Sequence, residues 1–183
     1  MIHIFKKIKN KIRIWLANRD YSSKIKYLRS QGANIADDTR LICQVSAFGS
    51  EPYLISVGKN CLFSAGIHLI THDGGVKVLS DSGYFQGERM DIIAPIVIGD
   101  NVYIGTGAYI MPGVTIGNNC VVGAASVVTK DIPSNTVAVG IPAKVIKTMD
   151  EYYKSSVEKG CLYPTAKMSP EEKKQYFLNL KNS

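Results

Sequence analysis

Aliphatic residues recur at every sixth position through the middle of this chain. From residue 98 it reads IGDNVY, IGTGAY, IMPGVT, IGNNCV, VGAASV, VTKDIP, which places Ile98, Ile104, Ile110, Ile116, Val122 and Val128 in one phase, with Ile92 a step earlier. An α-helix wants apolar steps of three and four, a coiled coil seven, and a half-buried antiparallel strand strict alternation. None of these fits. Two positions before each aliphatic stands another small or apolar residue: Val102, Ala108, Val114, Cys120 and Ser126. Gly, Asn and Asp cluster between the hexads, where a chain turns corners. A triangular solenoid meets both conditions, with three hexads to a coil of eighteen residues, so that Ile98 stacks on Ile116, Ile104 on Val122 and Ile110 on Val128.

The same phase appears earlier, in Ile35, Leu41 and Ala47 and again in Val57, Phe63 and Leu69. Two stretches break it: FGSEPY at 48–53, and a longer run from about Ile70 to Asp91 that opens with LITHDGG. Ordering a long insertion adds nothing to coil stacking, so such an excursion is expected to serve function. The domain plan is therefore a basic helical segment at 1–31, a solenoid at 32–148 with an inserted loop at about 70–91, and a helical tail at 149–183. Within the tail, Ser169-Pro170-Glu171-Glu172 reads as a helix start, after a break at LYPT.

The net charge of +7 is unevenly placed. Residues 1–30 carry nine Lys and Arg against Asp20 alone, and the remainder is close to neutral. In IHIFKKIKNKIRIWLA, Phe5, Ile8, Ile12 and Trp15 share one helical face among lysines. Two readings stay open: the helix caps the exposed solenoid end, which is favoured, or it lies on an anionic membrane surface. No recognised module supports nucleic-acid binding. Cys43, Cys61, Cys120 and Cys161 show no paired spacing, and no signal-peptide pattern is visible, so reduced thiols in the cytoplasm are expected. Cys61 and Cys120 fall on inward positions and read as core fillers.

Three stretches carry a family resemblance: VGKNCLFSAGIHLITHDGG, PIVIGDNVYIGTGAYIMPGVTIGNNCVVGAASVVTKDIP and VAVGIPAKVIK. The chain resembles the hexapeptide-repeat acyltransferases, in the branch of maltose, galactoside and capsular-polysaccharide O-acetyltransferases, over roughly residues 30 to 150. That resemblance implies a left-handed parallel β-helix, a homotrimer with active sites between subunits, and acetyl-CoA as acyl donor. It implies acetylation of a sugar hydroxyl on a surface polysaccharide or its precursor; the expected location is the cytoplasm, with the inner face of the membrane left open by the basic N-terminal helix. Another acceptor (a nucleotide-sugar amine, serine or an antibiotic) and a scaffold without activity are the alternatives.

The family's catalytic His matches His72. A hydroxyl is a poor nucleophile near neutral pH, and imidazole is the side chain suited to take its proton. His68 is expected to point outward from the coil. A spacing of four unites His68 with His72 only on a helix, and His3 is remote, so no metal is expected. Two acids are candidates to orient His72 or to bind the acceptor. Asp73 is adjacent, although neighbouring side chains on an extended segment point opposite ways. Glu51 lies slightly more than one coil back, and a solvated loop acid is the alternative reading for it. Position by position, the resemblance implies cofactor contacts at Thr106, Ala124, Thr129 and Lys130, and a phosphate contact at Lys147. Ala125 stands where the family often has Gly, and Tyr103 where Trp is common.

Overall fold

The computed structural model describes residues 2–181, with side chains from residue 8 onward. The chain divides after Met149 into two compact units. In the first, two helices, α1 (Ile2–Ala17) and α2 (Tyr21–Ser30), precede a succession of very short strands.

Each hexad contributes about two extended residues and then a corner, so the strands are short and the chain visits three parallel sheets in rotation. One sheet joins Asn34–Ile35, Ile55–Val57, Ile96–Ile98 and Thr115–Ile116. A second joins Arg40–Leu41, Leu62–Phe63, Tyr103–Ile104, Val121–Val122 and Thr136–Gly140, extended by the antiparallel Ala143–Thr148. The third joins His68–Leu69, Tyr109–Ile110 and Val127–Val128. Registers follow the period read from the sequence: Ile98 lies opposite Ile116, Ile104 opposite Val122, and Ile110 opposite Val128. All six side chains are at most 2% exposed. Each buried aliphatic of this size contributes roughly 1.5–3 kcal/mol, and here each packs against its counterpart one turn away.

The corners are held by side chains. Asn60, Asn101, Asn119 and Asn135 all adopt left-handed backbone, with φ between 54° and 63°. Asn tolerates that region better than most residues. Each amide donates to the next in line, Asn60 to Asn101, Asn101 to Asn119 and Asn119 to Asn135, all at 2.9 Å. Turns also approach very closely: a Cβ at Gly105 would sit 2.5 Å from the Ala124 nitrogen.

At the N-terminal end of the stack the edge strands would present unpaired carbonyls, and a parallel edge invites unwanted pairing. Helix α2 covers them. Ile25 and Leu28 are buried, Lys24 Nζ donates to the Leu41 carbonyl at 2.7 Å, and Arg29 Nε donates to the Ile35 carbonyl at 2.8 Å. From the end of α1, Asn18 Oδ1 accepts from Val45 N–H at 3.0 Å. The N-terminal segment does pack on this end, but not through the stripe read from the sequence: Ile8, Ile12 and Trp15 are exposed. Helix α1 meets the core through Ile14 and Ala17 instead. The side chains of His3 and Phe5 are not among those described.

The two breaks in the period take different forms. At the first, two short 3-10 turns, Val45–Phe48 and Pro52–Leu54, replace a strand. Leu41 consequently pairs with Phe63, 22 positions on rather than 18. At the second, His72–Asp73 pairs antiparallel with Ile92–Ile93 and closes the neck of an excursion. That excursion carries a short helix, α3 (Val76–Asp81), where the sequence suggested only a loop. Val57 pairs with Ile98, so the turn spans 41 positions and exceeds a regular one by 23.

The second unit holds α4 (Met149–Glu158) and α5 (Pro170–Lys181). At the start of α5, Ser169 N–H donates to the Glu172 carboxylate at 2.7 Å while Glu172 N–H donates to Ser169 Oγ at 3.3 Å, a reciprocal capping box. The break between the helices is wider than LYPT, beginning after Glu158, where Gly160 takes a φ of 62°.

Candidate active site

His72 occupies the neck of the excursion, on the strand that leaves the stack. Its position follows from local order: Leu69 is the last inward aliphatic of its turn, Thr71 is buried, and His72 is the first residue to leave, half exposed. Glu51 comes from the other interruption. It stands just before Pro52, which is buried and starts the second 3-10 turn, so the FGSEPY stretch holds the Glu51 backbone against the stack. The two interruptions thus meet at one place, with Glu51 Oε2 lying 2.9 Å from His72 Nδ1.

The same carboxylate oxygen accepts from Thr71 Oγ1 at 2.6 Å. Hydrogen bonds from Thr71 and then from His72 pull the Glu51 carboxyl down to about 2, so it is ionised at neutral pH. An ionised carboxylate can only accept, so the proton on the ring belongs to Nδ1 and the lone pair to Nε2. In turn the hydrogen bond to Glu51, with its negative charge, raises the His72 pKa above its ordinary 6.5. Asp91 and Asp73 add to this from further away.

Two concavities meet at His72. One, of about 170 Å³, is lined by Ser46, Gly49, Glu51, His68, Thr71 and His72 among others. The other, of about 290 Å³, lies within the excursion and is lined by His72, Lys77, Asp81, Arg89, Met90 and Asp91 among others. Lys77 is paired with Asp81 there.

The remaining sequence candidates divide clearly. Asp73 does not turn towards the imidazole; its carboxylate accepts from Gly75 N–H at 2.8 Å, shaping the turn. His68 faces outward and stacks on Tyr109, with ring centroids 4.7 Å apart and planes 15° from parallel. Thr106 is exposed and shares a 2.7 Å hydrogen bond with Ser64 Oγ one turn away. Ala124, Thr129 and Lys130 are exposed on the outside of the stack, and Lys147 is half-buried on the hairpin opposite Val137. Ala125 adopts a φ of 55°, a conformation natural to glycine. Cys43, Cys61 and Cys120 are buried; burial raises the Cys61 thiol and pushes Cys43 up to about 11, which makes those two poor nucleophiles. Sequence reasoning missed Thr71, which by the hexad phase is a corner position two after Leu69 and was marked only by standing directly before His72.

Residues 95–130 match the family described as bacterial transferase hexapeptide (six repeats). The chain is 44% identical to Protein CapG of Staphylococcus aureus over 153 residues, covering 83% of this chain and 86% of that one. Its fold is similar to the crystal structure of a maltose O-acetyltransferase from Clostridium difficile 630 (33% identity, TM-score 0.53, 75% of this chain and 83% of that one). It is also similar to a galactoside acetyltransferase in complex with coenzyme A (26% identity, TM-score 0.50, 81% of this chain and 83% of that one).

Proposed function

This chain belongs to the hexapeptide-repeat acyltransferase family, in the branch of the maltose and galactoside O-acetyltransferases, and from that premise we propose that it moves an acetyl group from acetyl-CoA to a sugar hydroxyl. The observation that carries this reading is the Thr71–Glu51–His72 chain, which leaves a basic Nε2 at the meeting point of two concavities. His72 acts as general base. As the acceptor oxygen forms its bond to the thioester carbonyl carbon, its proton passes to Nε2. Glu51 stabilises the imidazolium that results, and collapse of the tetrahedral intermediate breaks the C–S bond. The departing thiolate takes the proton back from His72, so that the products are an acetyl ester and free CoA.

In the same proposal the three-sheet stack is a left-handed parallel β-helix, and three copies assemble around it. The acyl donor lies along the outside of the last turns, near Thr106, Ala124, Thr129 and Lys130, with Lys147 near its phosphates. Small exposed side chains at 106 and 124 suit a thin pantetheine arm approaching the backbone, and lysines suit phosphate. The acceptor is a sugar of a surface polysaccharide or its precursor, acetylated in the cytoplasm where acetyl-CoA is made.

The decisive experiment incubates the protein with acetyl-CoA and a panel of sugars and follows free thiol, beside His72→Ala. Acceptor-dependent release that collapses in the variant supports the reading. Release that survives undiminished removes His72 from the mechanism, and release only with amine acceptors makes the enzyme an N-acetyltransferase.

A further inference from the structure

Among its described side chains, helix α1 has two opposed faces, and only one is used by the fold. Ile14 and Ala17 pack on the core, and Arg13 reaches Ser30 and the Tyr27 ring. At about 100° per residue, Ile8, Ile12, Trp15 and Leu16 fall within an arc of roughly 100° on the opposite side. Those four are 49%, 52%, 70% and 43% exposed. Lys9 and Lys11, both exposed, border the arc on either side. A helix that already has its packing face and still presents a second apolar stripe has a surface left to fill.

We propose that this second face docks the protein on an anionic phospholipid surface, with α1 lying in the interfacial plane. Charge selects the occupant. The first 30 residues hold nine Lys and Arg, and their only acid, Asp20, is engaged in capping α2. Two copies of such a helix repel one another, whereas a sheet of anionic headgroups attracts the bordering lysines while the stripe enters the acyl boundary. The most exposed of the four apolar side chains is a tryptophan, the residue whose amphipathic ring favours the headgroup level. Among the described residues no helix is long and apolar enough to cross a membrane, so the contact is one of lying on the surface. The inference stands whether or not the acetyl-transfer reading does.

Trp15 is the only tryptophan of the chain, so its emission reports this face directly. Intact protein is titrated with vesicles of phosphatidylcholine alone and of phosphatidylcholine containing a third phosphatidylglycerol. The anionic vesicles are expected to blue-shift Trp15 emission, to permit quenching by brominated acyl chains, and to lose the protein as salt is raised. Lys9→Gln with Lys11→Gln weakens partitioning roughly fivefold per cation removed, while Ile12→Asp abolishes it. The lysine pair is solvent-exposed, so that variant keeps its fold if Ile12→Asp does not. No shift with anionic vesicles at low salt overturns the proposal, as does equal binding to neutral ones. A vesicle-free shift that grows with protein concentration, with a rising mass in light scattering that Ile12→Asp abolishes, makes a second copy the occupant and overturns it too.

Discussion

The regular turns from Ile96 to Val128 and the two interruptions that break them are built on opposite terms. In the turns, every inward position repeats its neighbour one step away, and backbone and corner amides pair along the stack. The inward positions of one turn resemble those of the next, so the turns supply stability and a repeating surface. The interruptions repeat nothing. Residues 48–53 and 70–91 contribute Glu51, Thr71 and His72, and the carboxylate accepts from both of the others. A periodic array can hold a reactive group only where its period fails, because a repeated position offers every turn the same environment.

That contrast predicts separable damage. His72→Ala should lower kcat/KM with acceptor by about 10²–10⁴-fold, the usual worth of a general base, while leaving the thermal midpoint nearly unchanged. Ile104→Ala should do the reverse. Truncating a wholly buried aliphatic costs about 2–5 kcal/mol in denaturant unfolding, and residual folded protein should turn over normally. A buried-core variant with intact stability, or a His72 variant that unfolds, would erase the distinction.

Glu51→Gln sharpens it further. The carboxylate raises the His72 pKa above its ordinary 6.5, so under the proposed mechanism the acid limb of the pH–rate profile is expected above that value. Removing the charge should move that limb to lower pH and reduce the plateau rate, because the imidazolium formed in the transition state loses its counter-charge. The sign for stability runs the other way: the pair favours protonated His72, so its contribution is full at low pH within the range where Glu51 is ionised, and fades as pH rises through the elevated His72 value. A profile that does not move in Glu51→Gln would reduce Glu51 to a structural neighbour. The smallest expected effect lies in the regular turns. Ala125→Gly relieves a left-handed alanine and should raise stability by about 1 kcal/mol, less the backbone entropy that glycine brings to the unfolded chain.

The stack could be read from the sequence because a single number governs it. Once the aliphatics at 98, 104 and 110 are seen, the partners at 116, 122 and 128 follow, and the observed registers are those. Glu51 and His72 came within reach by the same counting, since 21 positions is a little over one turn. What counting could not supply is the rotation of side chains about their own segments. It left Asp73 as a candidate beside His72, although its carboxylate is spent on Gly75. It showed that α1 has an apolar stripe without showing that Ile14 and Ala17, off that stripe, make the packing. Lys24 belonged in the sequence to a basic run, yet in the fold it is buried and closes an exposed strand edge. Such roles depend on which carbonyls lie at the end of the stack, and that is decided by the tertiary arrangement.

The asparagine column has a consequence for how chains of this kind can lengthen or shorten. Its members are 41, 18 and 16 positions apart in sequence, yet each step has the same 2.9 Å bond. The column is indifferent to how much chain is spent between corners, so long as the chain comes back in phase. Extra residues looped out at a neck, as at His72–Asp73 against Ile92–Ile93, leave it intact, and so does a whole added turn. A single residue gained or lost inside a strand would displace every inward aliphatic beyond it. Variation in length is therefore tolerated between the strands, at a looped-out neck or, as the 16-position last step shows, at a corner, while the inward phase within each strand is kept.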